Sequence, residues 1–526
     1  MMSTGLPEEH QHTESSTLVR RQAWREAILL GVFTLLLGLP SLWFPFARDH
    51  GYFAYIGHTI LTGGMPYLDA WDVTSPGIYL LYAGAFWLFG VSELSPHLLE
   101  LIFMLVTVPL QYLVVRHAAG RGAGLVAGVG LAVWYYSLGA FNTARLDGFG
   151  FLPIVGAMAL LGLRSPDRPP AWWRTGLAGL LLGGLAVLKY PYALLFLALT
   201  PLVITRRGLF PSLGRLLAWA GGFVVLPLST VLWLTSGGAL EAWLESLAYG
   251  NGYSTAGREG WRFVWEGLRR FGEEGGGHPL FYLGGLAAAL LMVKAGRRMG
   301  RLYAAWLVAM TLAVFTQGKY YNYHFVCLIA PLTALTGMWL AEVRRESQGR
   351  LLRWNALSLV IPIITVQTSV TLALAYKERL KDVQSMVRGD WGHFRAGTLP
   401  RDEVHELSAD IKARTSPEET VYIWGAQAVI YFLSDRRSPS RFVTCEPLVV
   451  PWVSPRFREE FLEALRRAPP KYWLVTHGDG TPFLPRFYEY YLDEWPDLQR
   501  FVAETYEWET RIGQTDIYRR QPRATR

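Results

Sequence analysis

Long, predominantly apolar runs recur along the first 376 residues of the chain. The first run, residues 27–46, holds 20 residues and no charge, about the length that an α-helix needs to cross a bilayer. Lys189-Tyr190-Pro191 interrupts one long run, and the proline there predicts two helices joined by a turn. We therefore predict a polytopic α-helical membrane protein with about 11 transmembrane helices. The other runs are at residues 98–115, 122–138, 149–163, 175–205, 216–235, 279–293, 302–316, 325–340 and 356–375.

The charges between the runs predict their orientation. Basic residues cluster before the first run and in every second turn after it, and Lys and Arg accumulate in cytoplasmic loops. We therefore expect residues 1–26 to form a cytoplasmic tail and residues 27–376 to form the transmembrane part. The short outer loops each hold a single cation: Arg48, Arg145, Lys189 and Lys319.

From about residue 377 the chain changes to dispersed charge and ordinary hydropathy. We expect residues 377–526 to form an extracytoplasmic α/β domain. This segment has no nucleotide fingerprint, metal-ligand spacing or nucleophile elbow, which favours an acceptor-guiding or structural role over catalysis. Alternation and apolar runs predict strands at 421–425, 441–447, 471–476 and 515–520 and helices at 402–414 and 455–467.

Composition agrees with the membrane class. Of the 526 residues, 51% are hydrophobic and only 17% are charged. The net charge of +8 lies mostly in the turns between apolar runs, so orientation explains it and we expect no nucleic-acid partner. Cys327 and Cys445 form no spacing that is typical of a disulfide or a metal site.

The first outer loop, residues 48–95, combines acids, aromatic residues and glycines. Asp49 comes directly after the first apolar run, and Asp69 and Asp72 flank Trp71. An acidic residue at a membrane face is by default a candidate functional residue. The apolar run at 78–90 is too short to span, so it predicts an interfacial helix. The loop's aromatic residues then suit the headgroup layer: Tyr52, Phe53, Tyr55, Tyr67, Trp71, Tyr79, Tyr82 and Trp87.

Together, the ionisable residues of the short outer loops suit a lipid phosphate and a hydroxyl acceptor. Fixed cations stabilise an anionic leaving group, and a partly desolvated carboxylate can take the acceptor's proton. The structural alternatives are that Lys189 only snorkels, that Arg145 only partners Asp147, and that Asp69 and Asp72 only orient their loop. The alternative for the three tyrosines Tyr320, Tyr321 and Tyr323 is that their rings only lie in the aromatic belt at the membrane interface.

Six segments occur in order along the chain: Arg48-Asp49-His50-Gly51-Tyr52-Phe53, residues 64–72, Pro76-Gly77-Ile78-Tyr79, Arg145-Leu146-Asp147, Leu188-Lys189 and Lys319-Tyr320-Tyr321-Asn322-Tyr323-His324. Together they resemble the GT-C glycosyltransferases, and within them the bacterial lipid A aminoarabinose transferases and protein O-mannosyltransferases. The resemblance covers about residues 48–340.

The resemblance implies roles for particular residues. It implies that Asp49 lies at the active site, that Asp147 is the second acid, and that Lys189 is the lysine after the fifth span. The segment with Lys319 and His324 corresponds to a donor-phosphate region. Two departures leave metal dependence and the aminoarabinose donor open: His50 stands where relatives often have a second acid, and residues 74–76 replace a Lys-Pro-Pro run.

The sequence therefore predicts an inverting glycosyltransferase of the bacterial cytoplasmic membrane. It would move a sugar from a polyprenyl-phosphate donor to a lipid, glycan or protein acceptor on the outer face. Asp49 is the predicted base, or else it organises a metal ion, and Asp147 positions the acceptor or that metal. The sequence establishes no cofactor, and a divalent metal at these two residues stays an open alternative. The predicted substrate-binding residues are Arg48, Asp69, Asp72, Arg145, Lys189, Tyr190, Lys319, Tyr320, Tyr321 and His324.

Two other functions are compatible with the sequence. A non-enzymatic flippase or carrier of lipid-linked saccharides would use the same cations. The sequence shows neither an internal repeat nor an ionisable residue near the middle of a predicted span, which alternating access usually needs. A scaffold in envelope assembly, binding through residues 377–526, is the third hypothesis.

Overall fold

The computed structural model describes residues 8–163, 170–204, 210–255, 260–273, 279–294, 297–347, 356–481 and 484–522. Parts of the sequence-based predictions fall outside these ranges. Residues 1–7 of the predicted tail lie outside the described residues, and so do the basic turns at 164–169, 205–209 and 348–355.

Up to residue 388 the described chain folds into fifteen α-helices. Every predicted apolar run coincides with one or more of them. Their bounds are α1 Glu8–Gly38, α2 Arg48–Leu61, α3 Pro76–Phe89, α4 Leu94–Ala119, α5 Arg121–Ser137, α6 Leu146–Gly162, α7 Trp172–Leu188, α8 Ala193–Val203, α9 Leu213–Ser236, α10 Leu240–Thr255, α11 Gly260–Glu273, α12 Pro279–Lys294, α13 Arg298–Gln317, α14 Ile329–Ser347 and α15 Ala356–Arg388.

Several helices are long and apolar enough to cross a membrane. Within the described residues these are five segments, judged by length and composition: Thr17–Trp43, Leu94–Ala119, Leu213–Ser236, Arg298–Gln317 and Asn322–Arg345. Shorter apolar helices stand beside them, among them α6 and α7. A largely helical membrane protein is thus confirmed, and the count of eleven spans stays a prediction.

The predicted break after α7 is present. Lys189 has an extended backbone (φ −154°, ψ 107°), and a 3₁₀ turn, Tyr190–Tyr192, separates α7 from α8. Pro191 supplies the reason, because proline carries no N–H to continue a helical hydrogen-bond ladder. The break matters for function because it leaves Lys189 outside both helices.

The aromatic residues of the first outer loop do not form an interface belt, and that prediction is wrong. Tyr67, Tyr79 and Tyr82 are completely buried, and Trp87 alone among the eight is largely exposed. Trp71 packs edge-on against Tyr249 and Phe457. These rings belong to a hydrophobic core that the loop shares with the C-terminal region.

The C-terminal region docks directly on the first outer loop. Gly51 of α2 has room only for a hydrogen, because a Cβ there would lie 2.5 Å from the backbone nitrogen of Val429. The Trp71 amide donates to the Arg441 carbonyl at 2.7 Å, and the hydroxyls of Tyr52 and Thr444 are 2.7 Å apart. This close packing brings residues from the end of the chain to the start of α2.

A four-stranded sheet forms the centre of the C-terminal region, in the order β3-β4-β6-β5. Strands β3 and β4 are parallel, and the β4–β6 and β6–β5 pairs are antiparallel. The elements are β1 Arg395–Ala396, β2 Leu399–Pro400, α16 Arg401–Arg414, β3 Val421–Trp424, α17 Val429–Ser434, α18 Glu446–Val449, α19 Pro455–Arg467, β4 Tyr472–Thr476, α20 Glu489–Asp493, α21 Pro496–Thr505, β5 Tyr506–Ile512 and β6 Thr515–Arg520.

One predicted strand of this region is wrong, and one observed strand was not predicted. Residues 441–447 form no strand: the Arg441 carbonyl bonds to Trp71 of the outer loop instead of a neighbouring strand, and α18 begins at Glu446. Strand β5 was not predicted, because it lies at the sheet edge and is largely exposed and polar. The predicted boundary at residue 377 falls within α15, which continues without a break to Arg388.

Candidate active site

Asp49 lies in the first turn of α2, where the partial positive charge of a helix N-terminus favours a carboxylate. His50, next to it, accepts the Ala47 amide N–H on Nδ1 at 3.0 Å and donates from Nε2 to the Thr143 carbonyl at 2.8 Å. Both ring nitrogens are therefore occupied. Burial lowers the pKa of His50 to about 3, and the nearby Arg145 adds to this, so the ring is neutral near pH 7.

Asp49 is paired with Arg145 from the second outer loop. The Nη2 atom of Arg145 lies 2.6 Å from Oδ2 of Asp49, and 32% of the Asp49 side chain is exposed against 3% of Arg145. The guanidinium stacks between two rings, 4.5 Å from the centroid of Phe141 and 4.0 Å from that of Tyr323. The alternative that Arg145 only partners Asp147 is wrong, because its ion pair is with Asp49.

Asp147 occupies the equivalent position in α6, in the first turn of the helix. It is buried, and the Lys189 ammonium lies 3.1 and 3.3 Å from its two oxygens. The Tyr192 hydroxyl also donates to Asp147. Lys189 reaches this carboxylate because the break after α7 frees it from the helix, so the snorkelling alternative is wrong as well.

The two carboxylates belong to one cluster. Tyr323 joins them, because the Arg145 guanidinium stacks on its ring and the Lys189 ammonium lies 6.0 Å from the ring centroid. Burial acts to lower the pKa of Arg145, whereas the charges of both Asp49 and Asp147 act to raise it. The structure thus places both predicted acids on the same side of the helical bundle, around one aromatic ring.

The aromatic segment at 319–324 forms another wall of this cluster. His324 is buried against the rings of Tyr321 and Tyr323. The Lys319 ammonium lies 4.9 Å from the ring centroid of Tyr253 in α10, whose hydroxyl donates to that of Tyr321 at 3.3 Å. Tyr320 turns away from the cluster and packs on Phe263 and Phe315.

Three other predicted residues lie apart from the two ion pairs. Asp69 accepts the Met65 amide at 2.6 Å and closes its own turn, as the structural alternative proposes. Arg48 points into the C-terminal region, where it pairs with Asp479 and donates to the Gly480 carbonyl at 2.9 Å. Tyr190 accepts the indole N–H of Trp243 at 2.7 Å.

Asp72 and Glu446 extend the acidic face of the site. Burial raises the pKa of Asp72, although the Tyr79 hydroxyl donates to it at 2.7 Å. Burial also raises the pKa of Glu446 to about 7; Arg48 and the Tyr488 hydroxyl oppose this rise, whereas the charges of Asp72 and Asp49 add to it. No local pattern marks Glu446 as a site residue, because it lies far along the chain within a segment that we predicted to be a strand.

The raised pKa of Glu446 predicts a pH-dependent stability. Between its ordinary pKa of 4.5 and about 7, the folded protein holds a proton that the unfolded chain has lost, so stability falls as pH rises through this window. A shift of this size corresponds to roughly 3 kcal/mol at most. We expect Glu446→Gln to gain stability over wild type as pH rises, measured by thermal unfolding in detergent from about pH 5 to about pH 8.

The exposed Glu463 provides the matched control for that measurement. Glu463→Gln should track the wild type at every pH. If wild type and Glu446→Gln differ in stability by the same amount at every pH, the proton does not belong to Glu446 and the assignment is wrong.

The described residues do not fit a bound divalent cation. Among them, no group of three or more His, Cys, Asp or Glu side chains could hold a metal ion. Asp49 and Asp147 are each neutralised by a side-chain cation, and both nitrogens of His50 are bonded to backbone groups. A metal at the two acids would have to displace Arg145 or Lys189.

The helical fold, with paired acids and cations beside a C-terminal α/β region, is similar to the fold of the GT-C glycosyltransferases. The predicted resemblance to that class is confirmed at the level of fold by solved structures. No protein-family model and no curated protein sequence matches the chain.

Two solved proteins illustrate the likeness. ArnT from Cupriavidus metallidurans bound to undecaprenyl phosphate is 15% identical, with a TM-score of 0.60 over 93% of this chain and 97% of that one. The apo state of the same ArnT gives a TM-score of 0.57 at 16% identity. The oligosaccharyltransferase of Archaeoglobus fulgidus, tethered with an acceptor peptide, gives 0.50 at 14% identity over 94% of this chain and 74% of that one.

Proposed function

We propose that the protein is an inverting glycosyltransferase. It takes a sugar from a polyprenyl-phosphate carrier and transfers it to a hydroxyl group of a lipid, glycan or protein acceptor. The observation that carries this proposal is the Asp49–Arg145 pair, which sets a partly exposed carboxylate beside a buried cation in a GT-C fold. The likeness to ArnT, whose structure holds undecaprenyl phosphate, supports the class of carrier.

The reaction follows from the chemistry of this pair. The acceptor oxygen attacks the anomeric carbon, the bond from that carbon to the phosphate oxygen breaks, and the electron pair leaves with the polyprenyl phosphate. Asp49 takes the acceptor's proton, since part of its side chain is exposed while Arg145 holds only its Oδ2. One displacement of this kind inverts the anomeric configuration.

Arg145 supplies the cation for the leaving phosphate. Its Nε and Nη1 atoms are buried without a hydrogen-bond partner among the described residues, and buried donors of this kind normally have one. A phosphate oxygen would satisfy them and would receive the charge-assisted bonds that a guanidinium makes best. The rings of Phe141 and Tyr323 lie over the guanidinium, and its N–H groups point outward in its own plane, where a phosphate would bind.

Lys189 and Asp147 have a different part in the proposal. Their ion pair uses the Lys189 charge within the protein, so Asp147 and Lys189 together hold the second outer loop beside Asp49. Lys319, Tyr321 and His324 line the approach on the donor side. We place this site at the outer face of a bacterial cytoplasmic membrane, with the N-terminus in the cytoplasm and residues 377–526 outside.

A transfer assay tests the proposed function. Purified protein in detergent is given radiolabelled polyprenyl-phosphate sugars and an envelope extract as the source of acceptors. We expect label to enter the acceptor fraction while free polyprenyl phosphate is released in equal amount. If no donor sugar is released above the level seen with Asp49→Asn, the proposal fails. Movement of lipid-linked saccharide across proteoliposomes without such release would favour the carrier hypothesis instead.

A further inference from the structure

The turn that leads into α6 has an unfavourable backbone conformation. Ala144 has φ +53°, in the left-handed region, which costs a residue with a Cβ about 1–2 kcal/mol. Such a conformation persists only where the surroundings impose it. Arg145 and Asp147, the partners of Asp49 and Lys189, follow this residue directly, so the turn determines where both of them lie.

Side chains from three other elements hold the carbonyl groups of this turn. The Tyr135 hydroxyl of α5 lies 3.3 Å from the Asn142 carbonyl. His50 of α2 donates to the Thr143 carbonyl at 2.8 Å, and the Tyr82 hydroxyl of α3 donates to the Ala144 carbonyl at 2.9 Å. Since His50 follows Asp49 in α2, its bond ties the first acid to the loop that carries the second.

Glu100 of α4 holds the opposite edge of the turn. Its side chain is 1% exposed, and the backbone N–H groups of Ala144 and Arg145 face its carboxylate and stabilise its negative charge. The Tyr135 hydroxyl donates to its Oε1 at 2.6 Å. Gly148 makes room for this contact, because a Cβ there would lie 2.1 Å from the same oxygen.

We propose that Glu100 is a positioning residue that holds the Ala144–Arg145 turn so that Arg145 meets Asp49 and Asp147 meets Lys189. Its carboxylate accepts the Tyr135 hydroxyl and presents acceptor oxygens to the two adjacent amides, whereas one end of a glutamine side chain can only donate. Glu100 touches neither ion pair directly. The inference rests on the proposed transfer reaction and adds a residue that holds the reacting side chains in place.

The test replaces Glu100 and then relieves the strain in the turn. We expect Glu100→Gln to lower kcat for sugar transfer by about 10- to 100-fold, as misplacement of about 1 Å does. The KM for the acceptor should stay within about twofold, because acceptor binding is not removed. Adding Ala144→Gly should restore much of the lost kcat, since glycine adopts a positive φ without strain.

Glu26 of α1 offers a matched control. It accepts the Tyr112 hydroxyl near the other end of α4, much as Glu100 accepts that of Tyr135. Glu26→Gln should leave kcat unchanged, and Ala144→Gly should bring that variant no gain. The inference is overturned if Glu100→Gln retains full kcat, if Ala144→Gly brings no recovery, or if it benefits both variants equally.

A cryo-EM structure of Glu100→Gln separates this inference from the proposed function. If the wild type transfers no sugar, the proposed function fails, and the position of Arg145 still decides the inference. Displacement of its guanidinium from Asp49 supports the positioning role. An unchanged turn overturns it.

Discussion

The Asp49→Asn variant is expected to lose sugar transfer by about 10²–10⁴-fold, the usual contribution of a positioned acid or base. Asparagine has nearly the shape of aspartate but cannot accept the proton of the attacking hydroxyl. Its oxygen can still receive the Arg145 bond, so the surrounding structure should change little. The measurement is the initial rate of release from a radiolabelled polyprenyl-phosphate sugar in detergent, at saturating acceptor.

Asp69→Asn is the matched control for that variant. Asp69 lies in the same outer loop, is exposed, and bonds only to the Met65 amide among the described residues. Its replacement should leave the rate within about twofold of wild type, as for most surface changes away from a site. Unchanged turnover of Asp49→Asn, with Asp69→Asn equally active, would remove Asp49 from the mechanism.

The Lys189→Met variant is expected to have the largest effect on stability. It leaves the buried Asp147 carboxylate without its cation, and breaking a buried pair in this way costs about 3–5 kcal/mol. Tyr192 alone cannot compensate, because a hydroxyl carries no charge. We expect a lower yield of folded protein, a lower Tm in detergent and no detectable transfer.

Combining Lys189→Met with Asp147→Asn separates stability from activity. The double variant holds no buried unpaired charge, so most of the lost stability should return. Transfer should remain absent, because the pair that holds the second loop beside Asp49 is gone. Full transfer by a well-folded double variant would show that the pair has no part in the reaction, and a Tm as low as that of Lys189→Met would show that charge burial is not the cause of the instability.

Several features of the site were predictable from local patterns. The apolar runs predicted the helices, and Pro191 predicted the break that leaves Lys189 outside both helices, because both signals depend on neighbouring residues alone. The positions of Asp49 and Asp147 directly after or before apolar runs predicted acids on one side of the bundle. The aromatic segment around Tyr323 was grouped with these acids by sequence, and its ring lies beside Arg145 and Lys189.

Other features depended on where distant segments meet. Aromatic residues at a membrane face and aromatic residues in a protein core have the same local pattern, so Tyr79 and Tyr82 were assigned to the headgroup layer. Their burial follows from the C-terminal region that covers the loop. Glu100 lies within the predicted apolar run 98–115 and received no role from the sequence; only the tertiary structure brings it beside the Ala144 turn.

The sequence by itself determined which segments are apolar helices, where one of them breaks, and which ionisable residues lie together between them. Hydrophobic burial and proline stereochemistry act over a few residues, and a linear pattern records them. Only the tertiary structure decided that Arg145 pairs with Asp49, 96 residues away, that Lys189 pairs with Asp147, 42 residues away, and that Glu446 joins the site from the C-terminal region. Ion pairs of this kind depend on interatomic distance in three dimensions, and residue spacing along the chain does not encode that distance.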